Sequence, residues 1–224
     1  MGSNGRHIAV LTGDLVGSTG FATADVTRAF TALERIAREM DGWHRAPVHF
    51  TRQRGDGWQV VFARPRLALR SALAFRAALR AEDEAFDARQ SVAEGAGPDP
   101  ATLTGALNDQ VGPMFTASGQ GLDAMKSARG IDARLFFQSE AQCGERQTGA
   151  VYVLADHVSR GWTTAQAEAI LPLFEPEHEP TYSHIAERLG KSRQAVTKAV
   201  RAAGWPAVFL ALKLIEAGDA EAPH

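Results

Sequence analysis

The stretch His7–Thr19 reads HIAVLTGDLVGST. His7 to Thr12 is a short apolar run, and Gly13-Asp14 ends it. This is the pattern of a buried strand that stops in a turn. From Thr23 onward, Val26, Phe30, Leu33, Ala37 and Met40 recur at spacings of 4, 3, 4 and 3. That stripe predicts an amphipathic helix with its apolar side on the core, stopping near Gly42. Val48 to Arg54 alternates apolar and polar residues, Gly55-Asp56-Gly57 follows, and Trp58 to Phe62 reads WQVVF. Two strands around an RGDG turn predict a hairpin.

Pro65 suits the first turn of a helix, where its missing N–H costs nothing. Arg66 to Phe86 holds no Gly or Pro and predicts one long helix. Ala88 to Glu94 is a weaker strand, and Gly95 to Gln110 is expected to be a mobile loop. Gly112-Pro113 opens a helix with Met114, Ala117, Leu122 and Met125 on one face. Gly119 and Gly121 weaken it by up to ~1 kcal/mol each. Ala133 to Phe137 is the last strand. The order β-α-β-β-α-β-α-β predicts an α+β, ferredoxin-like sheet with helices packed on it. After Thr148 the strand signals end. Val151, Leu154 and Val158 predict a connecting helix, and from Thr163 everything reads helical. The expected division is 1–148, a connecting stretch 149–162, and an all-α unit 163–224.

The chain has 224 residues, one large domain or two small ones at roughly 150 residues per domain. Hydrophobic residues are 45% and charged residues 22%, which excludes wholesale disorder. Lys plus Arg is 24 against 26 Asp plus Glu, so any nucleic-acid contact must come from a local patch. The single cysteine, Cys143, excludes an internal disulfide and is read as inert. No apolar run reaches ~18 residues and the start is polar, so no membrane span or signal peptide is expected. A reducing cytoplasm is the expected compartment. His178 and His184 near Glu177 and Glu179 lack metal-site spacing. Trp43-His44 is read as a surface or rim pair.

The tail carries the first functional pattern. Thr163 or Thr164 caps a helix running to Phe174, and a loop with Glu175, Glu177 and Glu179 follows. A second helix runs from Tyr182 to Leu189, Gly190-Lys191-Ser192 turns, and a third helix starts at Arg193. Ala186 is small where two helices cross, and Gly190 frees the turn. Val196 and Val200 anchor the third helix. This is a helix-turn-helix pattern. Lys191, Ser192, Arg193, Gln194, Thr197, Lys198 and Arg201 are left to face outward, with no acid between Lys191 and Arg201. Such side chains donate to phosphates, and Arg193 and Gln194 have the reach for base edges. Double-stranded DNA is the expected partner. The apolar last helix, from Trp205-Pro206, is core or a dimer surface, and a homodimer reading two half-sites is expected.

The second pattern is a carboxylate pair. Asp14 follows the first strand and Asp56 tips the hairpin, and in this topology those strands are neighbours. Two carboxylates beside the exposed N–H groups of Gly17-Ser18-Thr19 suit Mg²⁺ and phosphate. Each alone is an ordinary turn former or cap. Together the segments resemble the class III nucleotidyl cyclases over roughly residues 7 to 140. That resemblance implies a nucleotidyl-cyclase-like sandwich with Asp14 and Asp56 as metal carboxylates and Mg²⁺ with a nucleotide as ligand. It also puts Arg52, four residues before Asp56, and Asp109, three before Gly112, at base-recognising positions. The positions implied for a ribose-steadying Asn and a transition-state Arg hold Thr116 and Gln120, while Lys126 and Arg129 lie off register. An uncharged residue there costs several kcal/mol at the transition state. Nucleotide binding is therefore expected and efficient cyclisation is not.

The whole chain resembles the SatD family of small bacterial proteins, through AVLTGDLVGST, RGDGWQVVF, VGPMFTASGQGLDAMK and TYSHIAERLGKSRQAVTKAVRAAGW. That resemblance implies a cyclase-like amino-terminal domain before a helix-turn-helix. The expected function is a DNA-binding regulator whose first domain senses a ligand or dimerises. The alternative is a divergent nucleotidyl cyclase or nucleotide-processing enzyme.

Overall fold

The computed structural model describes residues 5–53, 55–127, 132–141 and 144–217. Cys143 and Arg129 lie outside the described residues. Strands β1 (Arg6–Leu15), β2 (Phe50–Arg52), β3 (Gly57–Phe62), β4 (Ala88–Gly97) and β5 (Leu135–Ser139) form one sheet in the order β2-β3-β1-β4-β5. All neighbours are antiparallel except β4 and β5. Helices α1 (Thr23–His44) and α2 (Ala68–Glu82) make the two crossovers of a ferredoxin-like βαββαβ unit, and α3 (Pro113–Ser127) carries the chain to β5. The α+β, ferredoxin-like reading of the sequence therefore stands.

Strand side chains alternate between faces, so β1 splits its apolar run. Ala9, Leu11 and Leu15 join Trp58, Val60 and Phe62 beneath α1 and α2. Ile8 and Val10 join Val61 and Ala93 beneath Met114 and Phe115 of α3. Gly13 is required at the crowded end of β1. A β carbon there would stand 2.5 Å from the ring of Trp58, which is fully buried.

The first core continues into the tail. Helices α4 (Glu145–Arg160), α5 (Thr164–Ile170), α6 (Tyr182–Leu189), α7 (Arg193–Ala202) and α8 (Trp205–Ala217) complete the chain. Thr163 caps α5 with a reciprocal Thr163–Gln166 box. Phe174 meets Trp205 edge-on at 4.7 Å, and Trp162 Nε1 donates to the Ala203 carbonyl at 2.8 Å. Arg70 of α2, wholly buried, donates to both carboxylate oxygens of Glu216 at 2.6 and 2.9 Å and to the Phe174 carbonyl at 3.1 Å.

Several expected boundaries move, each for a physical reason. Helix α1 passes Gly42 because Arg45, at φ 51°, takes the left-handed cap and donates to the carbonyls of Asp41 and Gly42. The expected helix Arg66–Phe86 begins as a 3-10 turn, Pro65–Leu67, and α2 stops at Glu82. Asp83 turns extended, which lets Phe86 bury against Phe21. Strand β4 runs to Gly97, into the expected loop, because it pairs with the whole of β1. Helix α4 turns Leu154 outward, 67% exposed, and buries Tyr152, Asp156 and Ser159 instead. Asp156 and Ser159 are drawn inward by Arg76 of α2, which donates to Asp156 Oδ1 at 2.9 Å and to Ser159 Oγ at 2.5 Å.

Trp43 and His44 are not a rim pair, for both are buried. The His44 ring stacks on Phe62 at 4.7 Å. Its Nδ1 accepts from the Arg64 backbone N–H at 3.4 Å, so Nε2 carries the proton and donates to Ser71 Oγ at 3.0 Å. Burial, with the nearby Arg64 charge, lowers its pKa from 6.5 to about 3. The unfolded chain takes a proton below 6.5 and the folded one does not. Stability contributed by neutral His44 is thus full above that value and is lost as pH falls toward about 3. The limiting slope is about 1.4 kcal/mol per pH unit. Urea midpoints measured from pH 7 downward are expected to fall less steeply in His44→Gln than in the parent.

Candidate functional site

The β1–β3 register sets Asp14 opposite Gly57, and the Leu15 N–H donates to the Asp56 carbonyl at 3.2 Å. The two carboxylates read from the sequence therefore stand at one end of the sheet. Gly17, at φ 71°, starts a short turn at Ser18–Gly20, and Ser18 Oγ donates to Asp56 Oδ2. Gly17 and Thr19 are exposed. Asp14 is nearly buried, its side chain 9% exposed, and Lys126 Nζ of α3 lies 2.9 Å from its Oδ2. Asp14 Oδ1 is buried without a hydrogen-bond partner among the described residues.

Sequence reasoning missed Arg89. It stands directly opposite Asp14 across the β1–β4 pair, hence on the same face of the sheet. It makes no ion pair with a described residue. Counting back from the register of the two long strands is the signal that finds it. Lys126, read as off register, is the side chain that reaches Asp14.

The other expected ligand residues are not gathered here. Arg52 is exposed and stacks its guanidinium 3.9 Å over the Phe30 ring, on the α1 face, whereas Asp14 faces α3. Asp109 is exposed at the end of the 3-10 turn Leu107–Asp109. Thr116 and Gln120 are exposed on α3. Nor do the residues fit a two-metal centre as they stand. Lys126 holds Asp14 Oδ2 and Ser18 donates to Asp56 Oδ2, which leaves Asp14 Oδ1 and Asp56 Oδ1 as acceptors among the described residues, too few for two ions. Among the described residues no group of three His, Cys, Asp or Glu side chains is placed to hold an ion.

No protein-family model matches the sequence, and no curated protein matches it significantly. Solved structures with a similar arrangement include the guanylyl cyclase Cya2, at 19% identity and TM-score 0.40, covering 55% of this chain and 72% of that one. A bacterial light-regulated adenylyl cyclase matches at 13% identity and TM-score 0.45, covering 66% of this chain and 81% of that one. A further structure described in the same terms matches at 14% and 0.42, covering 78% and 59%. All three are nucleotidyl cyclases. The likeness is one of chain path at low identity, so the reading of function rests on the side chains themselves.

The tail presents a different surface. Thr181 Oγ1 accepts from the His184 N–H at 3.2 Å and starts α6; Gly190, at φ 61°, ends it. Ser192 Oγ accepts from the Ala195 N–H at 3.2 Å and starts α7. Val196 and Val200 fix α7 to the core, which leaves Arg193, Gln194, Lys198 and Arg201 exposed and Thr197 half-buried. These five side chains and Ala202 line one shallow open depression. Lys191 departs from the expected face, for its Nζ is 2.5 Å from Glu168 Oε2 of α5. Glu177 of the acidic loop pairs with Arg45 at 2.6 Å, on the sheet side. Among the described residues no single helix is long and apolar enough to cross a membrane.

Proposed function

We propose that this chain binds duplex DNA through α7. In this reading α6, the Gly190 turn and α7 act as a helix-turn-helix within a unit spanning 163–224, joined by 149–162 to a ligand-sensing or dimerising unit spanning 1–148. One observation carries it: Gln194, Lys198 and Arg201 lie uncovered together on the face turned away from Val196 and Val200, and Arg193, exposed in the first turn, lines the same depression. Lys and Arg on such a helix neutralise phosphates, while Gln194 and Arg193 reach base edges. The order of parts is that of the SatD resemblance. A homodimer presents two α7 helices to successive half-sites about 34 Å apart, and the exposed Leu210 and Leu214 of α8 supply apolar surface for it.

The test is a titration of the full chain against a labelled duplex at increasing salt. With the three cations of α7 on phosphates, the logarithm of affinity is expected to fall with the logarithm of salt at a slope of about −3 per chain. Absence of binding at low salt, or a flat response, overturns the proposal.

A second reading is nucleotide recognition or processing at the sheet end, favoured by Asp14, Asp56 and Lys126 meeting there with Arg89 opposite Asp14 on β4. Turnover of ATP, GTP, CTP or UTP with MgCl₂ or MnCl₂ that stops in Asp56→Asn supports it. No turnover of any of the four withdraws the enzyme.

A further inference from the structure

We infer that Lys126 is a tethered cation occupying the carboxylate pair, so that the folded chain keeps no divalent-metal site at Asp14 and Asp56. Three features of the sheet end carry this. The ammonium of Lys126 is 2.9 Å from Asp14 Oδ2, where a metal bound to that oxygen would have to stand. Leu122 and Met125 are buried, so α3 is fixed in the rotation that delivers Lys126 there. Arg89 stands opposite Asp14 in the β1–β4 register, on the same face of the sheet. Lys126 thus sets a positive charge on Asp14 before any ion arrives, and Arg89 adds a second on the neighbouring strand.

A divalent ion must displace the ammonium and then stand among positive neighbours. Mg²⁺ in addition demands a near-octahedral shell of oxygens, and the site offers few. Ser18 already donates to Asp56 Oδ2, taking another acceptor position. The ammonium has the advantage of its tether, because its local concentration is set by the chain and not by the medium. Lys126 is 42% exposed and its loss leaves no buried hole, so it can be changed without disturbing the fold. The inference concerns the metal alone and stands apart from DNA binding.

The probe is Mn²⁺, with the free ion followed by electron paramagnetic resonance as the full chain is titrated. The parent is expected to show no saturable Asp14-dependent uptake below the millimolar range. Lys126→Met is expected to take up one Mn²⁺ per chain at least about tenfold more tightly, since it leaves the carboxylates without their cation. Adding Asp14→Asn to Lys126→Met should abolish that gain. Lys126→Arg should exclude Mn²⁺ as the parent does. Uptake by the parent as tight as that of Lys126→Met overturns the inference. So does a folded Lys126→Met, or the alternative Lys126→Gln, with no gain, and so does a gain in Lys126→Arg.

Discussion

Asp87→Ala is expected to lower the stability of the fold by about 3–5 kcal/mol, the usual cost of removing one partner of a buried charge cluster. Asp87 is buried at the start of β4. Its carboxylate accepts from Arg76 Nε at 3.1 Å, from Arg80 Nη2 at 2.8 Å, from Arg134 and from the Ala88 N–H at 2.7 Å. Those guanidiniums come from α2 and from the segment entering β5, so one side chain joins three pieces of the chain. Burial pushes the Asp87 carboxyl up, but Arg76, Arg80, the Ala88 N–H and Arg134 together hold it below the ordinary range. A group with a depressed pKa contributes stability above its unfolded value and loses it as pH falls through the folded one. The parent should therefore weaken in acid below its ordinary value of 3.8, and Asp87→Ala should lack that component. Urea unfolding at neutral pH measures the loss directly. Asp87→Asn keeps acceptor geometry without the charge and should fall between. A loss under about 1 kcal/mol would mean that the arginines find solvent, as at an exposed pair.

Lys198→Glu combined with Arg201→Glu is expected to weaken duplex binding by at least about a hundredfold at low salt and to flatten the salt response. Both residues are exposed, whereas Val196 and Val200 are the buried residues of α7. The fold should persist, which circular dichroism checks. Two attractive charges become repulsive against the phosphates, so the change exceeds that of neutral replacement. Arg66→Glu provides the control. It makes the same reversal on an exposed residue of the sheet half, and screening over about 10 Å should confine its effect to a few-fold. Equal losses in the control and the α7 variant would show a general charge effect and remove α7 from the account.

What could be read from the chain follows from the range of each interaction. The order of elements was legible because helix and strand periods are local, as in Val26 to Met40 and in the alternating hairpin. The α7 surface was legible for the same reason: Lys198 lies about half a helical turn round from Val196, and Arg201 about a quarter turn from Val200. Asp14 and Asp56 were placed together because a hairpin and its neighbouring strand fix their register. Arg89 and Lys126 were beyond reach, because their positions depend on the β1–β4 pairing and on the rotation of α3. The end of α2 and the burial of His44 were missed likewise. The first is set by the burial of Phe86 against Phe21 once Asp83 turns extended, and the second by Ser71 and the backbone of Arg64. Polar networks between distant segments leave no periodic trace.

The Arg70–Glu216 tie limits how the chain can be divided. A guanidinium sealed inside the sheet half finds its carboxylate on the last helix and also donates to the Phe174 carbonyl of the tail. Severing the tail would strand the Arg70 charge, fully buried, without its carboxylate. The sheet half and the tail therefore hold each other, with α2 as the shared wall.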